Sequence, residues 1–247
     1  PSMNRLQTEQ RRLYLVADPA SERETLMDAQ GWVRALVVEV AQQAGWEAVA
    51  ALCHGIQGDL DLPTPAIAVS GGAGFQVWLS LVEPVPVAEA QTFLGALCQR
   101  FLSQVPARHV RCMPSTQQGI QATLVPAPQG ETGRWSAFVA PGLASMFADE
   151  PWLDAPPGVD AQAQLLSRLE SISPSELVRA SSELGLRETP LVHVSDPAGA
   201  PKHASGSGAP SVQALIETDP RRFLLSVMND PDVEMALRIK AAKALLP

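Results

Sequence analysis

Ala66-Ile-Ala-Val-Ser-Gly-Gly-Ala-Gly-Phe-Gln-Val-Trp-Leu-Ser-Leu81 decides how the chain is read. A short apolar run meets a glycine-rich turn, and a second run then alternates Val77, Leu79 and Leu81 with Gln76, Trp78 and Ser80. Two apolar runs separated by turn residues predict two strands joined by a tight loop. A turn holding Gly71, Gly72 and Gly74 lets backbone amides approach a ligand, and Ser70 adds a hydroxyl to the same mouth. The segment reads equally as a plain hairpin.

N-terminal to the hairpin, residues before Leu13 are polar and read as a lead-in or frayed helix. Leu13-Tyr-Leu-Val-Ala17 is β-prone and ends in the turn signal Asp18-Pro19. From Glu24 to Ala44, the positions Leu26, Trp32, Val33, Leu36, Val37 and Val40 recur at helical spacing and predict a helix. Helix resumes at Trp46 to Leu52. C-terminal to the hairpin, Phe93, Leu94, Leu97, Cys98 and Phe101 predict a helix over Val87 to Leu102, followed by a short strand at Val110 to Met113. Ile120 to Val125 and Trp135 to Val139 suggest a second hairpin. Asp160 to Ser171 is an amphipathic helix, and Ser173-Pro-Ser-Glu176 is a capping box with proline at the first helical position.

After Leu186 the composition changes. Asp196 to Pro210 has almost no large apolar side chain and reads as a flexible linker. Asp219-Pro220 and Asp230-Pro231 then punctuate a pair of helices. The expected organisation is an α+β domain with a mixed sheet and flanking helices over residues 1–157. A helical extension over 158–190, a linker over 191–210 and a helical appendage over 211–247 follow it.

Composition bounds the function. The chain has 247 residues, is 46% hydrophobic and carries a net charge of −8. That charge argues against a strongly basic nucleic-acid-binding surface but permits a local patch. Up to Ile172 there are 10 Lys and Arg against 17 Asp and Glu, whereas the remainder has 8 against 9. No apolar run of about 18 residues suggests a membrane span, and no basic-then-apolar leader suggests secretion. Cys53, Cys98 and Cys112 are scattered in apolar context, as expected for reduced thiols in a cytoplasm.

Several stretches together carry a resemblance. Leu13-Tyr-Leu-Val-Ala-Asp-Pro19, Val69-Ser-Gly-Gly-Ala-Gly-Phe-Gln-Val-Trp-Leu79, Glu83-Pro-Val-Pro86, Arg111-Cys-Met-Pro-Ser115, Gly119-Ile-Gln-Ala-Thr-Leu-Val-Pro126 and Gly133-Arg-Trp-Ser-Ala-Phe-Val139 occur in an order that resembles the archaeo-eukaryotic primase superfamily. The likeness is to the primase-like domains of bacterial mobile elements and covers roughly Leu13 to Leu169. It implies a primase–polymerase-like, RRM-like fold. Such domains extend primers with two divalent metal ions held by a hydrophobic-Asp-x-Asp strand and a third, later carboxylate. A Ser-x-His motif on the hairpin contacts the phosphates of the incoming nucleotide. Two ions about 3.5–4 Å apart need that much negative charge to hold them against their own repulsion.

Under this resemblance the first carboxylate falls on Val16 and only the second survives, as Asp18. The histidine falls on Gln76, and the third carboxylate on Val110 beside Arg111. Valine offers no ligand atom, and glutamine hydrogen-bonds a phosphate without positive charge. No catalytic or metal-binding set is therefore intact, and no cofactor is expected. The Ser70, Gly71, Gly72, Gly74, Gln76 and Arg111 group is left as a weak nucleotide or phosphate site. Asp18 also reads as an Asx-turn residue before proline, and Gln76 as a solvent-facing strand residue.

Arg108, His109 and Arg111 form one basic cluster, either a solvated edge or a phosphate contact. His54 and His109 lack metal-ligand spacing, Ser115 lacks a nucleophile elbow, and the five tryptophans read as packing residues. The tail, Asp219-Pro-Arg-Arg-Phe-Leu-Leu-Ser-Val-Met-Asn-Asp-Pro231 with Leu237-Arg-Ile-Lys-Ala-Ala-Lys-Ala-Leu-Leu-Pro247, resembles a helical segment of phage small terminase subunits.

The expected function is thus a pseudoenzyme: an inactive primase-like module of a phage or mobile element, associated with DNA replication. Its expected partners are DNA or RNA, and another protein through the C-terminal helices, with no membrane. One alternative is an active magnesium- or manganese-dependent nucleotidyltransferase recruiting Asp59 or Asp61. The other is a small-terminase-like DNA-packaging subunit.

Overall fold

The glycine-rich segment folds as the hairpin its pattern predicts. In the computed structural model, which describes residues 4–18, 23–72, 74–115 and 122–186, β4 (Ala66–Val69) and β5 (Gly74–Pro86) pair antiparallel from Val69↔Phe75 to Ala66↔Trp78. The other edge of β5 carries β3 (Trp32–Ala41), aligned from Trp32↔Pro86 to Ala41↔Gly74 with a bulge between Val33 and Ala35. Beyond β3 lies β6 (Val110–Met113), and beyond β4 lies β7 (Ala137–Val139). The order β6-β3-β5-β4-β7 is antiparallel throughout, not mixed as expected. A separate two-stranded sheet joins β1 (Val16–Asp18) to β2 (Arg23–Thr25).

Two helices connect the strands of the large sheet: α2 (Trp46–His54) between β3 and β4, and α3 (Val87–Phe101) between β5 and β6. The run β3-α2-β4-β5-α3-β6 places its last strand beside its first, a split βαβ arrangement.

β3 overturns the helix expected over Glu24 to Ala44. Leu36, Val37, Val38 and Val40 are all buried, because this strand is interior to the sheet and covered on both faces. A strand buried on both faces loses its period-two signal. Its β-branched valines, stiff at χ1 and suited to a pleated surface, decide for strand. Where the sequence suggests a lead-in or frayed helix, α1 (Arg5–Leu13) is a helix with a capped start. Asn4 and Gln7 form a reciprocal capping box, with Gln7 N donating to Asn4 Oδ1 at 2.8 Å and Asn4 N to Gln7 Oε1 at 3.0 Å. Leu13 therefore ends a helix, and of the strand expected over 13–17 only Val16 and Ala17 are extended, in a strand that runs on through Asp18.

Of the second expected hairpin, the described residues show only the end next to its polar loop, where residues 127–129 pair antiparallel with residues 134–136 through the bridge Pro128 to Trp135. Ala137–Val139 joins β4 instead, and Trp135 bridges to Leu153 and Pro128. The outer edge of β7 is satisfied by one buried side chain, Gln162 of α4 (Val159–Leu166). Its Oε1 accepts from Phe138 N at 2.8 Å and its Nε2 donates to Phe138 O at 2.9 Å.

Each face of the sheet has its own core. Val38, Val40, Val77 and Leu79 pack with Leu52 of α2, Phe93, Leu94 and Leu97 of α3, and Leu177 of α5 (Pro174–Glu183). Ala35, Val37, Ala68 and Trp78 pack with Leu6 and Leu13 of α1, Tyr14, and Ala163 and Leu166 of α4. Tyr14 lies 5.0 Å from the Trp78 ring, centroid to centroid. α4 and α5, the expected helical extension, thus belong to the cores of the first domain. The capping box of α5 forms as its sequence predicts.

The chain divides after Leu191 into two units. The expected linker and C-terminal helix pair lie outside the described residues, as do residues 116–121. No helix among the described residues is long and apolar enough to cross a membrane.

Candidate functional site

On the face that holds Trp78 and Val37, the next row of the sheet is polar. Strand register places Arg111, Glu39, Gln76, Ala68 and Phe138 side by side across all five strands. Gln76 Nε2 donates to Glu39 Oε2 at 2.9 Å, and Trp78 Nε1 donates to Gln76 Oε1 at 3.1 Å. These two bonds fix the amide of a buried glutamine, oxygen toward the indole and nitrogen toward the carboxylate. On its other side Glu39 Oε1 lies 3.5 Å from Arg111 Nη1. The Glu39 side chain is only 14% exposed, whereas that of Arg111 is 55% exposed. A carboxylate held between an amide and a guanidinium stays out of water without an orphaned charge.

Beyond this row opens a cleft of about 610 Å³ lined by Glu39, Gln42, Arg108, His109, Arg111 and Ser115, with Gly72 at its rim. Arg108 and His109 reach it from a 3₁₀ turn, Ala107–His109, that starts after Pro106 and leads into β6. Two guanidinium groups and an imidazole around one partly neutralised carboxylate make an anion-binding surface. The basic cluster of the sequence therefore lines a cavity.

The glycine turn contributes less than its composition promises. Gly74 N donates to Ser70 Oγ at 2.8 Å, Gly72 N to the same oxygen at 3.4 Å, and Gly71 N to Pro151 O at 3.0 Å. Amides donated within the protein are not offered to a phosphate, so Ser70, Gly71 and Gly74 do not form the expected anion nest. Of these residues only Gly72 borders the cleft. Gly74 is required for a different reason: a Cβ there would lie 2.1 Å from the carbonyl oxygen of Val40.

Gln76 and Arg111 are brought together, but Val16 and Asp18 sit on the separate two-stranded sheet. Val110 pairs with Val40 and packs at the edge of the core beneath α2 and α3. The carboxylate beside Gln76 is Glu39, which sequence reading passed over because it fell inside a supposed helix. Read as a strand, Leu36-Val-Val-Glu-Val40 has the hydrophobic-then-acidic form that would have singled it out. Among the described residues, no group of three His, Cys, Asp or Glu side chains is placed to hold a metal ion.

The chain matches no family model and no curated protein.

Proposed function

We propose that this chain is an inactive primase–polymerase-like domain of the RRM-like kind that binds nucleic acid through the cleft beside Glu39, Gln76 and Arg111. One observation carries the reading. Arg111 and Glu39, the latter held from behind by Gln76, line a cavity of about 610 Å³ that also collects Arg108 and His109. In the superfamily the chain resembles, the paired carboxylates lie on a strand near the hairpin histidine. The strand beside Gln76 in this chain is β3, on which Glu39 is followed after one residue by Ala41, and this supports the reading. One carboxylate, already engaged by an amide and an arginine, does not hold two repelling metal ions. Gln76 replaces a cation with a neutral amide, and Val110 has no ligand atom.

The chemistry left is recognition: guanidinium groups neutralising phosphates, with no second carboxylate for metal among the described residues that line the cleft. Such a module, working in the cytoplasm, would hold nucleic acid for partner proteins of a phage or mobile element, with the tail supplying protein contacts.

The test pairs two assays on the full chain. At low salt, labelled single-stranded DNA or RNA should bind, and Arg108→Ala with Arg111→Ala should weaken binding by about tenfold or more. Under the same conditions with magnesium or manganese, no labelled nucleotide should be incorporated. Incorporation that disappears in Glu39→Ala would establish an active transferase and overturn the proposal.

A further inference from the structure

We propose that Cys98 and Cys112 are a dithiol site that a hydroperoxide closes to a disulfide on the wall of the cleft. Cys98 stands on α3 and Cys112 on β6, with their sulfurs 3.3 Å apart and a hydrogen bond shared between them. Both residues are half-buried, and Cys112 is among those that line the cleft, the side from which a small oxidant would arrive.

A disulfide needs its sulfurs about 2.05 Å apart. The remaining approach falls on β6, an edge strand bound to the sheet only through β3 and therefore able to shift toward α3. The third thiol, Cys53 on α2, is buried, and burial pushes its pKa up to about 12. It is an internal control: a thiol that neither reacts nor competes.

The roles of the pair differ. The hydrogen bond the two thiols share holds Cys112 below its ordinary value, whereas the same bond, then burial, pushes Cys98 up. Cys112, the one of the two that lines the cleft, is the attacking sulfur. Its thiolate takes one oxygen from hydrogen peroxide, giving a sulfenic acid and hydroxide. The Cys98 thiol then displaces that oxygen, its own proton leaving with it as water as the S–S bond forms, and the hydroxide of the first step takes up the proton that Cys112 released on ionising. In sum, two thiols and one peroxide give one disulfide and two waters. A low-molecular-weight thiol reverses the step by exchange. The product ties β6, and with it Arg111, to α3. The thiol chemistry stands independently of what the cleft binds.

The experiment treats the reduced full chain with hydrogen peroxide, blocks remaining thiols with iodoacetamide and maps the non-reduced digest by mass spectrometry. A monomer that has lost two hydrogens, with the Cys98 peptide joined to the Cys112 peptide and separated again by dithiothreitol, supports the proposal. Cys98→Ser should leave Cys112 as a sulfenic acid trapped by dimedone, and Cys112→Ser should leave Cys98 a thiol. Recovery of both cysteines alkylated in the treated wild-type chain overturns it. So does linkage through Cys53 or between chains.

Discussion

Glu39→Gln isolates the electrostatics of the cleft, because it removes one negative charge while keeping a side chain of the same size that still accepts from Gln76. The carboxylate lies 3.5 Å from Arg111 Nη1. A phosphate bound on the far edge of that guanidinium stands about 6.5 Å from it. There like charges repel by about 0.6 kcal/mol in bulk water and about 2.5 kcal/mol at the effective dielectric near a protein surface. Arg111 is 55% exposed, so solvent screening favours the lower part of that range. The variant should bind single-stranded nucleic acid about three- to tenfold more tightly than wild type at low salt. Loss of a charge-assisted bond to Gln76 should cost about 1 kcal/mol of folding stability. Fluorescence anisotropy with a labelled oligonucleotide reads the first effect, and urea unfolding reads the second. Weaker binding by a folded Glu39→Gln variant, above all in magnesium, would mean that the carboxylate holds a cation for the ligand, and the reasoning would fail.

Three further outcomes follow from the fold. Gly74→Ala puts a Cβ against the backbone at Val40 and Gln42 and should destabilise by about 3 kcal/mol or more in urea unfolding, whereas Gly72→Ala, which meets open space, should stay within about 0.5 kcal/mol. Trp78→Phe removes the donor to Gln76 Oε1 from a buried site and should cost about 2–4 kcal/mol, read as a lowered Tm. Glu176 accepts from the Ser173 hydroxyl at 2.6 Å and from its backbone N–H at 2.7 Å, bonds that hold its carboxyl below the ordinary value. A depressed carboxyl stabilises the fold above its unfolded pKa of about 4.3 and loses that contribution as pH falls through the folded value. Glu176→Gln should therefore lower the urea midpoint at pH 7, and the difference from wild type should close as pH falls through the depressed folded value.

What the sequence disclosed divides along physical lines. The β4–β5 hairpin, α3, β6 and the capping box of α5 were legible, because turn glycines, helical spacing and cap residues are local signals. β3 was not. Burial on both faces erased its alternation, and Val33, Leu36, Val37 and Val40 happen to fall at helical intervals. With β3 read as a helix, Glu39 stays hidden, and Val16 and Asp18 are the positions the resemblance points to; they lie on the separate two-stranded sheet. Gln76 and Arg111 were picked out, but their meeting with Glu39 depends on register between strands distant in sequence. The occupied amides of the glycine turn were equally hidden, since Gly71 donates to Pro151, far along the chain.

The central proposal, that the cleft neutralises nucleic-acid phosphates, is tested most directly by the salt dependence of binding. For a labelled single strand, the slope of log affinity against log salt should be shallower by about 1.4 in the Arg108→Ala, Arg111→Ala double variant than in wild type, two phosphate contacts at about 0.7 each. An identical slope in the two proteins, or no binding by wild type at low salt, would contradict it.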